Sequence, residues 1–189
     1  MPIYSFGGHH PDIHPTAFVH PDAVVIGAVS IGEHASIWPT AVLRADFGRI
    51  EVGARTSIQD GTVLHTSERW PTVIGADCVV GHNAHLEGAT IEPGTLVGSM
   101  STCLQGVVVG RSCIVGAGAL LTEGIHVPEG NRALGVPAST FRPHPDRAAF
   151  DANHRLGVAK YVVNAARYVA ELGCPPADRD DSSCASSPA

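Results

Sequence analysis

The sequence predicts an all-β solenoid, a parallel β-helix of hexapeptide repeats with a C-terminal α-helix packed alongside. Two observations predict the solenoid and a third predicts the helix. First, an aliphatic residue followed by glycine recurs at steps near six, as in Ile26-Gly27, Ile31-Gly32, Val52-Gly53, Ile74-Gly75, Val80-Gly81, Val97-Gly98, Val109-Gly110 and Val115-Gly116. Second, larger blocks recur at about three such steps. Val80, Val97 and Val115 follow that spacing, as do Leu86, Leu104 and Leu121. A helix repeats at about 3.6 residues and cannot produce a step of six. Three short strands joined by corners make one coil of about 18 residues, and stacked coils make a solenoid. The aliphatic residues point inward as ladders, and glycine permits the corner backbone. Third, Val158, Tyr161, Val162, Ala165, Tyr168, Val169 and Leu172 fall on one stripe at helical spacing.

These signals divide the chain into a β-helix domain over 1–142, a helical segment over 143–173 and a disordered tail over 174–189. The repeat rhythm is clearest between about residues 11 and 140. The segment 67–71, Ser-Glu-Arg-Trp-Pro, breaks it and predicts a loop pushed out from a corner. Composition changes at Pro143-His144-Pro145, and the helix is expected between Phe150 and Leu172, with His154 at its beginning. Gly173 and Pro175-Pro176 are stop signals. The tail is small, polar and acidic.

Composition narrows the function. The 189 residues are 44% hydrophobic but only 5% aromatic, so the core must be layered from Val, Ile, Leu and Ala. A formal charge of −6 argues against a general nucleic-acid binder. No apolar run reaches membrane-spanning length, and the first residues lack a signal-peptide pattern, so no membrane partner and a cytoplasmic location are expected. Five cysteines without a CxxC fit a reducing compartment. Cys78, Cys103 and Cys113 lie among apolar residues and read as buried thiols, whereas Cys174 and Cys184 lie in the polar tail.

Eleven histidines stand against one lysine, Lys160. His9, His10, His14, His20 and His34 read as surface or corner residues of the first turns. His65, His82 and His85 differ. His65 ends the apolar run Thr62-Val63-Leu64, and His82 follows one coil length later. That spacing would place them near the same position on successive coils, roughly 5 Å apart. Glu87 lies one strand step beyond His82. Two histidines and a carboxylate form a zinc ligand set that leaves a fourth position for water. The same residues also fit an exposed polar ridge. Asp46 and Asp60, and likewise Arg44 and Gln59, are separated by a little less than a coil. Charges at such corners are solvated or pair between chains.

Taken together, Arg44-Ala45-Asp46, Ile58-Gln59-Asp60-Gly61-Thr62-Val63-Leu64-His65, Val80-Gly81-His82-Asn83-Ala84-His85-Leu86-Glu87-Gly88 and Leu134-Gly135-Val136-Pro137-Ala138 resemble the γ-class carbonic anhydrase family of hexapeptide-repeat proteins. The match covers roughly residues 3 to 172 and leans toward the carnitine-operon and phenylacetate-degradation branches. The resemblance implies a left-handed β-helix assembled as a homotrimer, with metal sites between subunits. Each site takes three histidines from two chains. His65 and His82 match two of them, and Glu87 stands where the third is expected, with His85 as a nearby substitute. The implied metal is Zn2+, with Fe2+ or Co2+ accepted by the same ligands. The resemblance further implies that Arg44, Asp46 and Asp60 make contacts across the subunit boundary near the metal. It implies that Gln59 orients the metal-bound hydroxide and that Tyr161 sits over the site. The acidic loop that carries a proton-shuttling glutamate in the best-known members has no counterpart here, and Glu68 in the 66–72 loop is the candidate to serve instead. The implied reaction is that of a lyase, hydrating CO2 to bicarbonate, or attack on a related carbonyl such as an acyl thioester. Two other readings compete: an inactive trimeric scaffold, and a hexapeptide acyltransferase using coenzyme A.

Overall fold

A computed structural model describes residues 2–172. The chain winds as a left-handed parallel β-helix of about seven coils, and one helix follows it. The proposed tail, Gly173, Cys174 and Cys184 lie outside the described residues.

Each inward ladder is continuous through the parallel register. One runs Val25, Leu43, Leu64, Leu86, Cys103, Leu121. A second runs Ile13, Ile31, Val52, Ile74, Ile91, Val109, Val127. The third runs Val19, Ile37, Ile58, Val80, Val97, Val115, Ala133. Nearly all these side chains are fully buried. The expected Val80–Val97–Val115 ladder is therefore present. The expected Leu86–Leu104–Leu121 ladder is corrected. Leu86 pairs with Cys103 and Cys103 with Leu121, so cysteine fills the middle rung and Leu104 falls one place into the corner.

Cys78, Cys103 and Cys113 are free and buried, as expected. Burial pushes the Cys78 and Cys103 thiols up to about 12. They act as small apolar fillers.

Coil length varies where the site lies. The coils from Phe18 to its partner Ser36 and from Val79 to its partner Leu96 have the ordinary length. Between them, the coils from Ser36 to Ser57 and from Ser57 to Val79 are longer. The extra residues form two inserts at one corner. The first lies inside the long strand Val42–Val52, and the second is the 66–71 loop. The loop was expected and the first insert was not.

The last coil ends in an antiparallel hairpin of Asn131–Ala133 with Phe141–Pro143. The helix then spans Arg147–Leu172. It begins earlier than residue 150, so His154 lies inside it rather than at its start. Asp146 explains this: its Oδ1 accepts from the Ala149 amide at 2.9 Å, a cap that serves an otherwise unpaired N–H. The predicted stripe packs as expected at Tyr161, Ala165, Tyr168 and Val169, which close over Phe18 and Trp38. Val158 is also buried. Trp38 Nε1 donates to Ser57 Oγ at 2.9 Å, so the buried indole keeps a polar partner. No helix among the described residues is long and apolar enough to cross a membrane.

Candidate functional site

Parallel stacking brings outward residues of adjacent coils into columns. Arg44 pairs in register with His65, and His65 with Glu87. Strand alternation also settles the place of His85. The strand His85–Glu87 is uninterrupted, so residues 85 and 87 leave the same face while Leu86 points inward.

The side chains form a connected row. Arg44 pairs with Asp46. Asp46 Oδ1 lies 2.9 Å from His65 Nε2. His65 Nδ1 faces Glu87 Oε1 at 3.6 Å, and His85 Nε2 faces Glu87 Oε2 at 3.4 Å. Gln105 Nε2 donates to Glu87 Oε1 at 3.1 Å. The His65 side chain at the centre of the row is only 14% exposed, whereas Arg44 and His85 stand partly open to solvent. Burial would raise the Asp46 carboxyl, but hydrogen bonds from His65 and Arg44 outweigh it and hold it below its usual value. Burial likewise opposes ionisation of Glu87. The Gln105 hydrogen bond and the charges of His65 and His85 outweigh it and lower its pKa. Glu87 is thus an anion between two imidazoles.

His82 does not join this row, which corrects the expectation that it stacks near His65. The 66–71 loop lengthens the coil, so an ordinary coil length from His65 stops short of the next equivalent position. Val63 pairs with His85, and the stack above His65 holds Glu87. His82 instead lies over Asp60, with Nδ1 2.9 Å from Oδ2, and its side chain is 53% exposed. Its ring faces outward from a separate corner. Gln59 is buried in the same turn, beside Asp60. Tyr161 packs on Trp38 at 6.3 Å between ring centroids, away from the Asp46–His65–Glu87 row. Glu68 is exposed on its loop.

Among the described residues, no group of three or more His, Cys, Asp or Glu is arranged to hold a metal ion. One chain therefore brings His65 and Glu87 together and presents His82 elsewhere. The donor types still fit a divalent cation. Each histidine has one ring nitrogen held by a carboxylate, as metal-ligating imidazoles do. The pairings of Asp46 with His65 and Asp60 with His82 were not foreseen within one chain, because the two corner inserts give them unequal spacings in sequence. Gln105 was also missed, since its step from Glu87 is visible only once the coil register is known.

Comparison with known proteins agrees with the fold. The model for the hexapeptide repeat of succinyl-transferase matches residues 71–94 and 88–123. The chain is 40% identical over 142 residues to the carnitine operon protein CaiE of Escherichia coli (strain K12), covering 75% of this chain and 72% of that one. It is 40% identical over 142 residues to the mitochondrial gamma carbonic anhydrase 1 of Arabidopsis thaliana, covering 72% of this chain and 52% of that one. The crystal structure of a hexapeptide transferase family protein from Anaplasma phagocytophilum superposes with a TM-score of 0.83 at 34% identity, covering 88% of this chain and 97% of that one. The chain belongs to the γ-class carbonic anhydrase-like family of hexapeptide-repeat proteins, with the carnitine operon protein among its relatives.

Proposed function

We propose that the protein is a metal-dependent enzyme of the γ-carbonic anhydrase type, acting as a homotrimer on CO2 or a related small carbonyl compound. The observation that carries this reading is the facing pair, His65 Nδ1 and Glu87 Oε1 at 3.6 Å, backed by Asp46 on the far nitrogen of His65. His82, exposed at another corner and backed by Asp60, supplies the third donor to the half-site of a neighbouring copy. Zn2+ suits these ligands, and Fe2+ or Co2+ is accepted by the same set. The bound metal supplies Lewis acidity that brings the pKa of a water toward about 7.

The chain's own groups prepare that chemistry. Asp46 accepts from His65 Nε2, which fixes the tautomer and leaves the Nδ1 lone pair directed at the Glu87 side. Asp60 does the converse for His82, holding Nδ1 and freeing Nε2. Gln105 holds the Glu87 carboxylate in place. Arg44 balances the charge of Asp46. Gln59 and Tyr161 keep roles only in the assembled trimer: Gln59 beside the incoming His82, and Tyr161 along the subunit boundary. Glu87 in place of a histidine makes the site less positive, which weakens activation of water, so CO2 hydration is expected to be slow and related carbonyl compounds stand beside CO2 as substrates. The acyltransferase reading has a structural relative in the hexapeptide transferase family protein. It lacks a use for the Asp46–His65–Glu87 row.

Sedimentation and a CO2-hydration assay after metal loading test the proposal. The expected result is a mass of three chains, with hydration dependent on bound metal. A mass of one chain at micromolar concentration contradicts it, because among the described residues no single chain holds three donors together.

A further inference from the structure

The two corner inserts carry large apolar side chains that the core does not use. Phe47 in the first insert is 57% exposed, and Trp70 in the second is 37% exposed, in a chain with few aromatics. They lie on one edge of the candidate row. Phe47 follows Asp46 directly, and its ring meets His65 edge-on with centroids 6.3 Å apart. Trp70 lies over the corner that follows Glu87 and Gln105. A Cβ at Gly88 would sit 2.7 Å from Trp70 Cβ, and one at Gly106 would sit 3.4 Å from the indole ring. Two glycines on successive coils therefore leave the space that the tryptophan fills. The inserts also support each other, because Gly48 lies against the Ser67 carbonyl and the Thr66 hydroxyl.

A cation completes the edge. The Arg69 guanidinium lies 4.9 Å from the Trp70 ring centroid, and no carboxylate pairs with it among the described residues. An unpaired cation stacked on an exposed aromatic ring offers both charge and apolar surface in one place. Apolar surface grouped beside polar groups in this way, rather than scattered singly, is the form that binding sites take.

We propose that Phe47, Arg69 and Trp70 form a recognition shelf for a small organic acid. The shelf takes the apolar body on the two rings and the carboxylate at Arg69. This rests on the reading of Asp46, His65 and Glu87 as the reactive site, and it makes the substrate larger than CO2. Phe47 and Trp70 are then specificity residues, set beside the reacting groups rather than among them.

The test uses the full chain and the emission of its two tryptophans, of which Trp38 is buried and Trp70 is not. Benzoate, hexanoate, acetate and bicarbonate are titrated into metal-free and zinc-loaded protein. Trp70→Phe identifies the responding residue, and calorimetry on Phe47→Ala and Arg69→Ala gives a readout independent of emission. The expected result is saturable quenching of Trp70 by benzoate and hexanoate, with acetate at least about tenfold weaker for want of apolar contact. Phe47→Ala and Arg69→Ala are expected to weaken benzoate severalfold while the thermal midpoint is unchanged. Equal affinity for acetate and benzoate overturns the proposal. So does the absence of any saturable response, or a Trp70 emission that changes only with protein concentration, which means that a second copy covers the shelf. Binding of benzoate by metal-free protein that never takes up zinc retains the shelf and removes the metal reading instead.

Discussion

Protein carrying Glu87→Ala is expected to purify without metal, whereas the natural chain is expected to hold about one ion per site. Glu87 is the carboxylate that faces His65 Nδ1, and its lowered pKa keeps it ionised at neutral pH. Removing it deletes a donor and leaves His65 and His85 without their shared anion. Glu87→Gln separates charge from shape. The amide keeps the size of the side chain and a partner for Gln105, but it is a poorer metal donor. Glu87→His supplies the imidazole that the resemblance expects at this position, and metal is expected to return with it. Elemental mass spectrometry on all three variants reads the result. Full metal content in the alanine variant contradicts a ligand role for Glu87.

Gly53→Ala is expected to destabilise the solenoid strongly although it adds a single methyl group. A Cβ at this position would lie 2.5 Å from the Ala76 amide nitrogen and 2.5 Å from the Gly75 carbonyl carbon. Both atoms are backbone of the next coil, so relief requires the coils to move apart. Separation would strain the adjacent ladders, including Val52 on Ile74. The cost is about 3 kcal/mol, the upper end for overpacking a dense interior. Gly118→Ala is the control. Gly118 has φ +67° and nothing within 4 Å of its added Cβ, so its cost is conformational alone. That cost is about 1–2 kcal/mol. Urea unfolding compares them. A loss at Gly53 no larger than at Gly118 contradicts stacking as the source of the glycine pattern.

The repeat was legible because each coil presents the same inward side chain and the same tight corner. Val80, Val97 and Val115 gave the period, and the structure stacks them directly. The helix stripe was legible for a related reason: Tyr161, Ala165 and Tyr168 had to cover Phe18 and Trp38. The helix start was not, because Asp146 follows Pro145 in a run that resembles a loop until its cap geometry is seen. Of the observed row, Arg44, Asp46, His65, His85 and Glu87 were singled out in the sequence, whereas Gln105 and the pairings were not. His65 and His82 are one normal coil apart in sequence, but the inserted loop shifts the register so that Glu87 takes the position above His65. The inserted residues decide which side chains touch, and hydrophobic period alone does not count inserts at corners. The same inserts carry Phe47 and Trp70, whose exposure had no signature in the repeat pattern.

The proposed metal site is divided between chains, with His65 and Glu87 on one and His82 on the next. Metal content of mixed assemblies tests it most directly. His65→Ala and His82→Ala chains are each expected to bind no metal alone. Unfolded together and reassembled at equal ratio, they are expected to recover about one site in four, since random mixing places an intact His65 half beside an intact His82 at that frequency. No recovery in mixed trimers of native mass, or undiminished metal in the His82→Ala protein alone, contradicts the divided site.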